Sequence, residues 1–269
     1  MIFRQCSIGG KAYRGDPAPL GGDEEDEKTN VKPLSSIGEV PKPVEVDLWA
    51  AAQSSQTSGI GRVPGTNPSR TTDEANDPPA RFTDSVLLQD LEDAVSDNPD
   101  PEIASHSRLL NGFFTVLALC HTVLTSVDPQ TGEMEYKAQS PDEAALVQAA
   151  ADVGFVFCGR DKETLSLRTP STTPDVEKYE LLNILEFNSA RKRMSVVLRK
   201  LGTEDGRLFL LTKGADNVIF ERLRSSEEQL KAATEVHLSE FANEGLRTLT
   251  LAYKIIGGEC VSEMTMYLS

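Results

Sequence analysis

The chain has 269 residues, 39% hydrophobic, 26% charged and only 6% aromatic, enough for one large domain or two small ones. Its 42 acidic side chains outnumber 27 basic ones, and residues 15–105 alone carry 19 acidic against 6 basic groups. A formal charge of −15 excludes nucleic acid as a partner of the whole chain, because duplex affinity depends on clustered Lys and Arg.

The opening residues 1–14 read as a short strand segment. Behind Met1 come Ile-Phe-Arg-Gln and no apolar core, so no signal peptide is expected. Residues 15–80 hold most of the prolines, the acidic run Asp23–Glu27 and the Ser/Thr/Gly stretch Ser54–Gly65. Such a segment cannot bury enough apolar surface to offset its ordering entropy, and it is expected to be a disordered acidic insertion interrupted only by Leu48-Trp49.

From Arg81 the pattern changes to that of a packed domain, expected to run to residue 256. Spaced apolar residues from Phe82 to Val95 predict a short helix, and Ser107–Leu124 a helix apolar almost all round, as one buried under a sheet would be. The run Leu109–Val127 includes Asn111 and His121 and fits a core helix better than a membrane span. A turn at 128–132 and a strand at Met134–Ala138 follow. Ser140-Pro141-Asp142-Glu143 then predicts a helix start, with a capping Ser, Pro at the first helical position and Glu three residues after the cap. That helix runs to Ala151.

Strands are predicted at Val153–Cys158 and Thr164–Arg168 (joined by a turn at Gly159–Asp161), Tyr179–Phe187, Met194–Arg199, Arg207–Thr212 and Arg247–Ile255. Helices are predicted at Ala215–Arg224 and Ser226–Asn243, the latter stopped by Gly245. The fold class expected is α+β, a mainly antiparallel twisted sheet of about six to seven strands with helices packed on it.

Four segments carry polar groups to strand ends or turns: Glu143, the run Phe187–Arg193, Lys213-Gly214-Ala215-Asp216 and Gly245–Thr248. A π-face, a carboxylate and several cations suit a nucleotide. Each also has a plainer reading. Glu143 closes a capping box, Phe187 is core, Arg191–Arg193 is a solvated hairpin, Lys213 is merely exposed, and Arg247 pairs with Glu244. Gly214 would let backbone approach a ligand. No G-x-x-x-x-G-K-[ST] loop is present. Cys6, Cys120, Cys158 and Cys260 show no C-x-x-C spacing, which fits a reducing cytosolic setting without disulfides or zinc. His106, His121 and His237 lack ligand spacing, so no metal site is expected, and His121 reads as a core histidine.

Ser140-Pro141-Asp142-Glu143-Ala144-Ala145-Leu146-Val147, the run Glu186 to Val196, Lys213-Gly214-Ala215-Asp216 and Glu244-Gly245-Leu246-Arg247-Thr248-Leu249 resemble nucleotide-binding-domain motifs of P-type ATPases, of the phospholipid flippase branch. Phe113-Phe114 with Leu119-Cys120-His121-Thr122-Val123 is similar to the flippase helix just upstream. Residues 1–13 look like the stretch after the phosphorylated aspartate, 15–80 falls where flippases vary, and the tail 257–269 departs from the family's continuation.

The resemblance implies that Phe187 stacks on adenine, Glu143 lies by the base, Lys213 approaches the nucleotide, and Ser189, Lys192, Arg247 and Thr248 complete a polar wall. It implies ATP as ligand, with Mg2+ in the intact enzyme held by residues outside this chain. It also implies a cytosolic place beside the phosphorylation and transmembrane domains of an integral membrane pump, with an accessory subunit as a further partner. The motifs D-K-T-G-T, T-G-E/D and G-D-G-x-N-D do not occur in the sequence. Phosphoryl transfer needs its acceptor and metal in line, so the chain is expected to be a fragment that binds ATP but is inactive alone. The alternatives are a non-catalytic ATP-binding module, a truncated remnant without transport activity, and an acidic insertion that docks a regulator.

Overall fold

The computed structural model describes residues 1–16, 48–54, 82–95, 100–127, 129, 134–203 and 207–256. The expectations for the tail 257–269, and for a turn across 128–132 apart from Pro129, fall on residues outside that set, as does most of the 15–80 tract.

The chain opens with a hairpin, β1 (Ile2–Ile8) and β2 (Lys11–Tyr13). β3 (Leu48–Ser54) is a strand inside the tract expected to be disordered, so that expectation is corrected at these residues. Helix α1 (Ser85–Val95) ends where predicted but starts at Ser85, past the Phe82 that opens its apolar pattern. α2 (Pro101–Leu119) starts a turn and a half earlier than its apolar pattern suggests. Asp100 caps it, its side chain accepting the Glu102 N–H, with Pro101 at the first helical position.

β4 (Leu124–Val127) pairs with β5 (Met134–Lys137) as a separate two-stranded ribbon, so the helix predicted to run to Leu124 stops at Leu119 and Leu124 opens a strand instead. α3 (Pro141–Asp152) begins where its cap predicts, Ser140 Oγ accepting the Asp142 N–H. β6 (Val156–Asp161) and β7 (Thr164–Arg168) turn at Lys162-Glu163, not at the predicted Gly159–Asp161, with Lys162 in the left-handed region. β8 (Glu177–Leu185), β9 (Arg193–Lys200), β10 (Leu208–Gly214) and β11 (Arg247–Ile256) follow. Between the last two lie the short α4 (Asp216–Phe220), a 3₁₀ turn at Ser225–Glu227 and α5 (Glu228–Asn243).

The fold is α+β, as expected, with its large sheet fully antiparallel between described neighbours. That sheet has nine strands in the order β2-β1-β3-β11-β10-β9-β8-β7-β6. It exceeds the predicted six to seven because β1, β2 and β3 extend it past β11.

Alternation along the strands sends side chains to two faces. Cys6, Ile8 and Leu251 join the main core with Leu87, Leu110, Phe113, Phe114, Leu117 and Val147 of α1–α3. Ser7 and Ala252 point the other way, Ser7 meeting His237 of α5 at 2.7 Å and Ala252 packing with Ile219 of α4. Among the described residues no helix is long and apolar enough to cross a membrane. The apolar Leu109–Val127 run is instead the buried half of α2 and the strand after it.

Candidate functional site

In an antiparallel sheet, the end of β8, the start of β9, the end of β10 and the start of β11 fall on the same edge. α2 ends and α3 begins beside it. A cavity of about 700 Å³ opens there, lined by residues from all six elements and the loops that leave them. Its size lies within the range of small-molecule sites.

Of the seven residues read from the sequence, Glu143, Phe187, Lys192, Lys213, Arg247 and Thr248 line this one cavity. Ser189 does not. It is exposed on the β8–β9 turn, where Asn188 Oδ1 accepts the Arg191 N–H and turns the chain. Sequence reasoning also missed several lining groups: Thr122, Gln139, Asp142, Glu186 and Met194. Asp142 and Glu186 were legible as neighbours of motif residues, whereas nothing local marks Thr122 as part of the site.

Lys213 sits at the end of β10, opposite Met194 on β9 and Leu251 on β11, and is 8% exposed. Its ammonium donates to Glu143 Oε1 at 2.9 Å. Thr122 Oγ1 donates to the other oxygen, Oε2, at 2.8 Å. Burial alone would raise the Glu143 pKa. The Lys213 charge and the two hydrogen bonds outweigh it and hold the carboxyl below its ordinary value. Glu143 thus makes no capping box with Ser140, and Lys213 is not a bare surface cation.

Phe187 lies two residues past the end of β8 and is 63% exposed, so it is not core. An apolar ring held open over a cavity offers a free π-face. Arg247, the first residue of β11, pairs with Asp142 Oδ2 at 2.7 Å instead of Glu244. Glu244 pairs with Arg14.

Lys192 occupies the left-handed region at φ 51°, which is uncommon for a side chain with a Cβ. Its N–H donates to Asn188 O, and its carbonyl accepts the Ala215 N–H at 3.0 Å. Gly214 is what makes room for that loop. A Cβ there would lie 2.6 Å from both Lys192 O and Arg193 Cβ. The start of β9 by itself thus requires a glycine here, and Gly214 also lines the cavity, where the sequence reading places backbone close to a ligand.

Three carboxylates and three cations line the cavity, two pairs already joined. Lys192 has no ion pair among the described residues. His121, one residue before Thr122, is buried as expected of a core histidine, and burial with the nearby Lys213 charge lowers its pKa to about 3. Cys120 is a buried free thiol, pushed up to about 11 by burial. Among the described residues no group of three His, Cys, Asp or Glu could hold a metal ion.

Residues 110–265 match the family model described as P-type ATPase, cytoplasmic domain N. The chain is 44% identical over 194 residues (65% of its length) to a protein named probable phospholipid-transporting ATPase 11 of Arabidopsis thaliana. It is 37% identical over 263 residues (98% of its length) to phospholipid-transporting ATPase ID of Homo sapiens. These alignments span 16% and 17% of the relatives, so the chain covers only a small part of the curated proteins it matches. With the cavity at one sheet edge and the matching motifs around its rim, this chain belongs to the P-type ATPases, as their cytoplasmic domain N.

Proposed function

We propose that the cavity binds ATP, the base end at Phe187 and Glu143 and the phosphate end toward Lys192 and Arg247. One observation carries this reading: six residues from distant stretches of sequence line one cavity that presents an exposed aromatic ring, an ionised carboxylate and cations.

The chemistry fits the ligand. Base–aromatic stacking contributes about 1–3 kcal/mol. A charge-assisted hydrogen bond adds roughly 1.5–3 kcal/mol. The Lys192 ammonium is the cation available to a phosphate without first breaking an ion pair to a described residue. Ser189 lies off the cavity and is assigned no contact. Magnesium would enter on the nucleotide's phosphates, with its protein ligands supplied from outside this chain.

In the whole pump, ATP held here would be delivered to a phosphorylation domain and drive phospholipid across a membrane, with this domain on the cytosolic side. The chain contributes binding and orientation; the acceptor aspartate is not among its residues. An accessory subunit would act through the other domains. Similarity to whole transporters supports this reading over a stand-alone binding module.

Calorimetric titration of the full chain tests the site. ATP should bind, and Phe187→Ala should weaken it on the order of tenfold to a hundredfold by loss of stacking. Binding by Phe187→Ala and Lys213→Ala that matches the parent would show the site to be misassigned.

A further inference from the structure

The segment Cys120-His121-Thr122 has no part in the function described so far, yet it leaves α2 at the rim of the cavity. His121 is engaged at both ring nitrogens. Nε2 meets Ala118 O at 2.7 Å, and the Val123 N–H donates to Nδ1 at 3.0 Å. A carbonyl on one side and an N–H on the other assign the proton to Nε2. The ring therefore braces the backbone before and after Thr122. Thr122 is itself exposed to the cavity, and its hydroxyl holds Glu143 Oε2 while Lys213 holds Oε1. Anchors on both oxygens, from two separate elements, fix the plane of the carboxylate. Its remaining lone pairs then face a ligand in one orientation.

We infer that Thr122 is a positioning residue for base selection. By holding Glu143 it makes the cavity accept a purine with an exocyclic amino donor and reject one with a carbonyl at that place. This deepens the nucleotide reading and rests on it. An ionised carboxylate only accepts hydrogen bonds, so it pairs with an amino group and repels the lone pairs of a carbonyl. Rejection of that kind is how a site discriminates between ligands of equal size. Without the Thr122 hydroxyl the carboxylate keeps one anchor, Lys213, and turns toward it. The β-branched side chain, stiff at χ1, suits the task.

A purely structural role, tying the end of α2 to the start of α3, is separated from this one by ligand choice. The full chain is titrated with ATP and with inosine triphosphate, which carries an oxo group where ATP has an amino group. Wild type, Thr122→Val, Thr122→Ser and Phe187→Ala are compared. Wild type prefers ATP. Thr122→Val loses ATP affinity by about three- to tenfold, the worth of one hydrogen bond, while inosine triphosphate binding stays within about twofold. Thr122→Ser, which keeps the hydroxyl, restores the wild-type ratio.

If Thr122→Val keeps that ratio while Phe187→Ala weakens both nucleotides, the role of Thr122 is wrong and the nucleotide site stands. A lowered melting temperature with an unchanged ratio likewise reduces Thr122 to a structural tie. Wild type that binds neither nucleotide removes both readings.

Discussion

Lys213 and Glu143, 70 residues apart, meet at 2.9 Å on the cavity floor, with side chains 9% and 16% exposed. Removing one partner of such a pair strands the other with few water molecules to replace it. Lys213→Met should therefore destabilise the chain by about 1–3 kcal/mol, measured by urea denaturation. The double variant Lys213→Met, Glu143→Gln should recover much of that loss. No recovery would mean that the pair is screened like a surface ion pair.

Phe187→Ala should do the opposite, leaving the denaturation midpoint unchanged while ATP affinity falls. The ring is exposed, so its loss opens no cavity in the core. Surface changes of this kind stay within about 0.5 kcal/mol of the parent. A large drop in midpoint would return Phe187 to the core role that the sequence left open.

The contrast between these residues shows what the sequence could reveal. The start of α3 was legible because its signals are local, a capping Ser and a Pro. The pairing of Glu143 with Lys213 was not, since a capping-box carboxylate and one turned toward a lysine 70 residues away look alike in sequence. Phe187 follows a strand whose alternation suggests burial, and only the end of β8 at Leu185 releases it to the cavity. Asp142 and Arg247 pair across the fold, which no local pattern encodes. β3 was hidden by a flanking composition that argues against any packed element.

Gly214→Ala tests the packing that brings Lys192 and Lys213 to one edge. The new methyl would meet Lys192 O and Arg193 Cβ at 2.6 Å, so β9 and β10 must separate. Overpacking of this kind destabilises by about 1–3 kcal/mol. Melting temperature should fall, and ATP affinity with it. An unchanged melting temperature would show that the loop yields freely.

Acid should weaken the fold before it protonates the carboxylates. Burial holds His121 neutral down to about 3, against 6.5 when unfolded. Between those values the unfolded chain binds a proton that the folded chain refuses, so stability rises with pH across this window and falls as pH drops through it. Glu143, held below its ordinary 4.5, adds a loss of the same sign at lower pH. His121→Gln should start less stable but show a shallower decline between pH 6.5 and 4, by thermal denaturation. His106 and His237, also lowered by burial, keep part of the slope. An unchanged slope would place the titration elsewhere.

The most direct measurement is heteronuclear NMR of the full chain during ATP titration. Nucleotide binding in the cavity predicts saturable shifts at the amides of Thr122, Glu143, Phe187, Lys192, Gly214 and Thr248, with β1, β2 and α5 left in place. Shifts confined to the β1–β2 hairpin and α5, or none at millimolar ATP, would contradict it.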